Sequence, residues 1–228
     1  MRIQPRVSFL GLLNANRGHL LWSAMLLATS VEAAQITVSN ADGQPLEDAV
    51  VEVYYDATSV ETGAPSQEQN IYQRDAAFVP HVLAVPTGSY VAFPNQDTTR
   101  HHVYSFSPAN TFDLNLYLQE TPPPVLFDQA GVVVLGCNIH DQMQAFIVVS
   151  DAPFVAKTGN DGTLTLPTLP PGDHRLRVWH PLLDDNQQNW WTGTITDSDQ
   201  LTINLELNAL PPPSPPLSPL QQRFKDAG

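Results

Sequence analysis

The sequence predicts an all-β chain built as β-sandwiches with Greek-key connections. Two observations carry this. The 228 residues include 21 prolines and 12 glycines, which punctuate short runs rich in Val, Thr, Leu and Phe. No stretch shows a helical period long enough to predict a helix. A chain of this length can bury one large or two small hydrophobic cores.

The N-terminal segment reads as a targeting sequence. Arg2, Arg6 and Arg17 supply positive charge, Leu20 to Ala28 is a short apolar run, and Val31-Glu32-Ala33-Ala34 offers small residues for cleavage. The apolar run falls well short of the ~20 residues of a spanning helix, and no cysteine nearby offers a lipid anchor. Residues 1–34 are thus expected to be a signal peptide, and the mature chain to be periplasmic or otherwise secreted, with no membrane anchor. Removing them leaves 7 basic against 22 acidic residues, a formal charge of -15. Such a surface repels nucleic acid and anionic lipid and favours basic partners, although solubility alone also accounts for it.

Residues 36–55 alternate apolar and polar around Asp42-Gly43, which predicts two strands joined as a hairpin. Residues 57–70 lose the pattern and read as a linker or long loop. From Ile71 to Val149, about eight strand-like runs follow at the close spacing of a sandwich: IYQRDAAFVP, HVLAV, SYVAF, HHVYSF, FDLNLYL, PVLFD, GVVVLGC and AFIVV. A second short-strand region has turns at Asn160-Asp161-Gly162, expected as a hairpin, and at Pro170-Pro171-Gly172. It ends in the alternating LTINLEL of residues 201–207. Residues 209–228 form a proline-rich tail, expected as an extended polyproline spacer or a disordered end.

The chemistry concentrates around the single cysteine. In an oxidising compartment cysteines normally pair, but Cys137 has no partner in the chain. It opens Cys137-Asn138-Ile139-His140-Asp141-Gln142-Met143, directly after the apolar run Val132–Leu135. Thiolate and thioether are soft ligands suited to Cu(I), and imidazole suits both copper oxidation states. Two His, one Cys and a weak axial Met make an electron-transfer copper set, so one further histidine is needed. Asn95-Gln96-Asp97-Thr98-Thr99-Arg100-His101-His102-Val103 offers two. Taken singly, each His or Met is more often structural, and Cys137 could be a buried small hydrophobe. The joint spacing favours copper. Zinc shares Cys and His ligands but takes Met poorly.

These stretches resemble the cupredoxin family, in which the first copper histidine lies in an N-x-D-x-x-x-H-x-V segment. Asn95, Asp97, His101 and Val103 match it, so the resemblance selects His101 over His102. The C-x-x-H-x-x-M spacing resembles that of the shortest-loop members. Residues 71–93 are similar to the family's opening strands, and the likeness covers roughly residues 68–150. HHVYSFS and GCNIHDQM resemble exported cupredoxin-like proteins often labelled methylamine utilization proteins. The implied ligands are His101, Cys137, His140 and Met143 around one type 1 copper. Two departures bear on potential and partner choice. His102 stands where many members have Asn, and Ile139 replaces the proline of the usual C-x-P-H, with Asp141 and Gln142 making a more polar rim after His140.

Gly43-Gln44-Pro45-Leu46 with Ala49-Val50-Val51, and Thr158 to Gly162 with Leu169 to Gly172, resemble a carboxypeptidase-regulatory-like, or prealbumin-like, sandwich. This implies a discontinuous module over 35–64 and 151–208, with the cupredoxin stretch 65–150 inserted into a surface loop. The alternative gives 35–150 to one domain and 151–207 to a separate lobe. Trp179, Trp190 and Trp191 are expected as packing residues, and His81, His174 and His180 as structural or surface residues.

No catalytic motif stands out: there is no G-x-S-x-G, no H-E-x-x-H and no second histidine cluster. The expectation is a non-enzymatic exported copper protein that transfers electrons to a redox partner such as a cytochrome or dehydrogenase. A copper-binding, sensing or carrier module without electron traffic is the alternative.

Overall fold

The computed structural model describes residues 34–56, 69–197 and 199–208. The expected targeting segment, apart from Ala34, and the proline-rich tail lie outside them. The described residues form strands and no helix. The chain begins with β1 (Gln35–Asn40) and β2 (Val50–Tyr54). A middle set follows: β3 (Gln69–Asn70), β4 (Tyr72–Arg74), β5 (Ala77–Val79), β6 (Val82–Pro86) and β7 (Ser89–Ala92). It continues with β8 (His101–Ser107), β9 (Asn110–Tyr117), β10 (Val125–Phe127), β11 (Gly131–Gly136) and β12 (Gln144–Ser150). The last set is β13 (Phe154–Lys157), β14 (Thr163–Thr165), β15 (His174–Trp179), β16 (Trp191–Ile195) and β17 (Gln200–Leu205).

The middle strands pair among themselves. One sheet has the order β6-β12-β11-β8-β9 and another β10-β7-β3, while β4 and β5 form a hairpin. Their shared core includes Ile71, Phe93 and Phe127 against Val103, Leu135 and Ile147. Gln69 and Asn70, expected in a loop, instead form a strand parallel to β7, satisfying backbone groups that would otherwise lie beside this core.

The first two and the last five strands also pair among themselves, as β14-β1-β17 and β13-β2-β15-β16. Ile36, Val38, Val51, Val53, Leu176 and Ile203 fill the space between these sheets. Residues 36–55 do not form the expected hairpin, because β1 and β2 lie in different sheets. Asp42-Gly43 does turn the chain, with Gly43 at φ 76°, but the returning segment is only residues 44–46. Leu46 N–H donates to Val38 O at 3.0 Å, after which the chain crosses to the other sheet to begin β2. The turn at Asn160-Asp161-Gly162 is likewise a crossing between sheets, because β13 and β14 belong to different ones. The two crossings pack together. Val38 N–H donates to Gly162 O at 2.8 Å, and a Cβ on Gly162 would lie 2.5 Å from Val38 O.

A third cluster joins the two halves. Val132, Phe146 and Val148, on the outer face of the five-stranded sheet, pack against Val50 and Trp179. β11 and β12 are therefore covered on both faces, which explains their unbroken apolar runs. The same junction buries Glu52, 3% exposed. Its carboxylate accepts from Tyr54 OH at 3.1 Å and lies 3.5 Å from Arg177, the pairing a buried charge requires.

Candidate metal centre

β8 alternates, so His101, Val103 and Ser105 point inward and are buried while His102, Tyr104 and Phe106 point outward. β11 follows the same rule. Val133 and Leu135 face the core, and Cys137, just past the strand end, continues that parity and is 4% exposed. The loop then turns back, with Met143 N–H donating to His140 O at 2.9 Å. That turn returns the chain to β12 and leaves Met143 buried in the same core cluster as Cys137.

One donor atom from each of His101, Cys137 and His140 lies within 4.8 Å of the other two. Nδ1 of His101 faces Cys137 Sγ at 3.9 Å, and the two imidazole rings lie 5.0 Å apart. His102 is not part of this group. Its Nε2 lies 2.7 Å from Asp113 Oδ1 on the outward face.

The segment before His101 holds it in place. Asn95, itself buried, accepts from Asp97 N–H at 2.9 Å and donates to the carbonyls of Thr99 and Tyr117, both at 3.0 Å. Asp97 in turn receives the amides of Asp75 at 2.7 Å and Ala76 at 3.0 Å. Both those residues sit at φ 53° in the β4–β5 turn, so successive N–H groups converge on one carboxylate as in an anion-binding nest. Oδ2 of Asp97, the oxygen that also accepts the Ala76 amide, lies 2.7 Å from His101 Nε2. Burial pushes the Asp97 carboxyl up, but the Ala76 amide, His101 and the Asp75 amide outweigh it and hold it below the usual range. An ionised carboxylate only accepts, so Nε2 is the nitrogen that donates to Asp97, which leaves Nδ1 as the ring atom facing Cys137.

His140 is partly exposed, yet its Nδ1 is buried without a hydrogen-bond partner. Burial, then the neighbouring His101, hold its imidazolium below the ordinary range, so the ring is neutral at neutral pH. The orphaned imidazole nitrogen of His140, Nδ1 of His101 and the Cys137 thiol together form a three-donor set suited to a soft or borderline metal. The carboxylate behind His101 is the outer partner that metal-binding histidines commonly have. The matching of Asp97 to a sequence pattern does not reveal this role, and the Asp113 partner of His102 carries no sequence signal.

No protein-family model and no curated protein sequence matches this chain. Solved structures with a partial likeness include a reduced amicyanin variant, 16% identical with a TM-score of 0.34, covering 46% of this chain and 100% of that one. A Cu(I) amicyanin variant is 15% identical with a TM-score of 0.34 over the same shares. A copper-containing nitrite reductase from Thermus scotoductus SA-01 is 21% identical with a TM-score of 0.35, covering 50% of this chain and 28% of that chain.

Proposed function

We propose that this chain is an exported, periplasmic electron-transfer protein holding one copper ion on His101, Cys137, His140 and Met143. The observation that supports it most directly is the convergence of His101, Cys137 and His140 within 4.8 Å, with the outer nitrogen of His101 held by Asp97. A bound copper would supply a one-electron couple between Cu(I) and Cu(II).

The chain's own residues do the rest. Asp97 fixes the tautomer and direction of His101. Cys137 offers a thiolate from the rigid end of β11, and His140 offers a neutral nitrogen. Buried Met143 supplies the weak thioether. Three of these groups are held by strand ends or by Asp97, so they rearrange little when the charge at the site changes. His140, partly exposed beside Ile139 (49% exposed), is the edge for electron exchange. The acidic balance of the chain suits a basic redox partner such as a cytochrome or dehydrogenase. Export is supported by the composition of residues 1–34.

The test is a visible absorption and electron paramagnetic resonance spectrum with one equivalent of Cu(II), beside Cys137→Ser. An intense thiolate-to-copper band with narrow hyperfine splitting, lost in the variant, is the expected result. A colourless protein, or a tetragonal signal unchanged by the substitution, would leave a copper carrier or sensor as the better reading.

A further inference from the structure

The outward face of β8 carries an aromatic ladder that the metal centre does not use. His102, Tyr104 and Phe106 follow one another with ring centroids 5.2 and 5.1 Å apart, and Phe106 is 78% exposed. The Tyr104 ring lies against the backbone of Gly136, where an added Cβ would meet it at 2.8 Å. A groove runs beside the ladder over Val134 and Gly136, with Asp141 and Gln144 along it, and it reaches Cys137 and Met143. Gln144 also borders a second hollow with Phe146, Leu182 and Asn208, so the two share a wall.

Asn208 is the last described residue, and its place is fixed. Its N–H donates to Leu182 O at 2.8 Å and its side-chain amide donates to Asp185 at 2.9 Å. The chain continues from this point as Ala209-Leu210-Pro211-Pro212-Pro213-Ser214-Pro215-Pro216-Leu217-Ser218-Pro219. Such a sequence favours the polyproline II helix, which docks on aromatic-lined grooves at low ordering cost.

The reach is sufficient. Gln144 pairs with Gly136, and Gly136 with Tyr104, so the ladder lies two strand spacings, about 10 Å, from Gln144. Asn208 borders the same hollow as Gln144, and the eleven residues that follow it, to Pro219, span about 34 Å as polyproline II. The charge also fits, since Arg223 and Lys225 follow the prolines and Asp141 borders the groove.

We propose that residues 211–219 of the chain's own tail dock in this groove against Tyr104 and Phe106. The test is nitrogen-15 NMR of the full chain, both metal-free and with diamagnetic Cu(I), so the result does not depend on the copper assignment. In the variant P212G/P213G/P215G/P216G, the amide signals of Phe106 and Gly136 are expected to move while those of Val38 and Ile203 stay in place. In Phe106→Ala, the amides of Ser214 and Ser218 are expected to shift to random-coil positions. Unmoved Phe106 and Gly136 signals in the tail variant would overturn docking. So would tail signals already at random-coil positions in the wild type. Groove signals that shift on dilution would assign the groove to the tail of a second copy, and so overturn docking within one chain.

Discussion

Nε2 of His101 lies 2.7 Å from Oδ2 of Asp97, and that carboxylate is itself gripped by the two amides of the β4–β5 turn. One side chain thus ties a hairpin turn, a loop and a buried imidazole together. Asp97→Asn is expected to present an amide N–H to Nε2, favouring the tautomer with Nδ1 protonated toward Cys137. Copper affinity should fall by about 10–100-fold, the usual effect of losing an outer partner. The turn should also lose about 1–2 kcal/mol from its weakened acceptor. Chelator competition with Cu(I) and urea unfolding check the two parts, and an unchanged affinity would contradict the first.

His101 and His102 are neighbours in sequence and opposites in space. His101 is fully buried beside Cys137, whereas His102 pairs with Asp113 on the outer face. His101→Ala should weaken copper binding by more than the ~10–100-fold expected for an outer partner. His102→Ala should leave it within a few-fold of wild type. Copper titration of both variants reads this directly, and equal losses would mean that the assignment by strand parity is mistaken.

Much of the strand pattern is legible because β-structure has period two. The alternation of LTINLEL marks β17, and the same parity separates His101 from His102 once β8 is recognised as a strand. Turn chemistry is legible too, but only locally. Asp42-Gly43 and Asn160-Asp161-Gly162 turn the chain as glycine at positive φ allows, yet both lead across to another sheet rather than back as a hairpin. Pairing depends on which apolar face meets which, and that is settled by contacts distant in sequence. Similarly, Val132–Leu135 reads as a buried strand, but nothing in the run says that Val50 and Trp179 cover its outer face. The Asp97 anchor depends on a turn more than twenty residues upstream, so spacing alone could not expose it.

Gly162 is where the two sheet crossings touch. Its φ of 70° disfavours a side chain, and an added Cβ would meet the Val38 carbonyl at 2.5 Å. Gly162→Ala therefore combines a left-handed backbone cost of about 1–3 kcal/mol with a backbone clash that no rotamer relieves. A lowered denaturant midpoint with the copper affinity preserved is expected, since the metal centre lies in the other half. A neutral result would show that the two turns can separate freely.

Trp179 carries the junction between the halves. It is fully buried, lies edge-on to Phe146 at 5.5 Å, and donates its indole N–H to Gln187 O at 3.1 Å. Trp179→Ala should cost about 3–5 kcal/mol. The halves keep their own cores, so unfolding is expected to separate into two transitions, which fluorescence and copper-site absorbance would follow independently. A single coincident transition in the variant would argue that the remaining contacts keep the halves coupled.

Tyr54 sets an alkaline limit at the same junction. Burial first, then the charge of Glu52 and hydrogen bonds to Asp151 and Glu52, push its phenol up to about 12. The folded state thus favours the neutral phenol, since deprotonation would place a third negative charge between Glu52 and Asp151. For a group raised in this way, the stabilisation is complete below the unfolded value of ~10 and is lost as pH climbs through the folded value. Tyr54→Phe keeps the ring under Arg175, whose guanidinium lies 3.7 Å from its centroid, but it removes the hydroxyl. The variant should be about 1 kcal/mol less stable than wild type near neutral pH, the usual worth of such a hydrogen bond. That deficit should shrink as the pH passes from ~10 toward ~12. Denaturant midpoints of both proteins across this range measure it, and a deficit that stays constant with pH would remove Tyr54 as the source of the alkaline dependence.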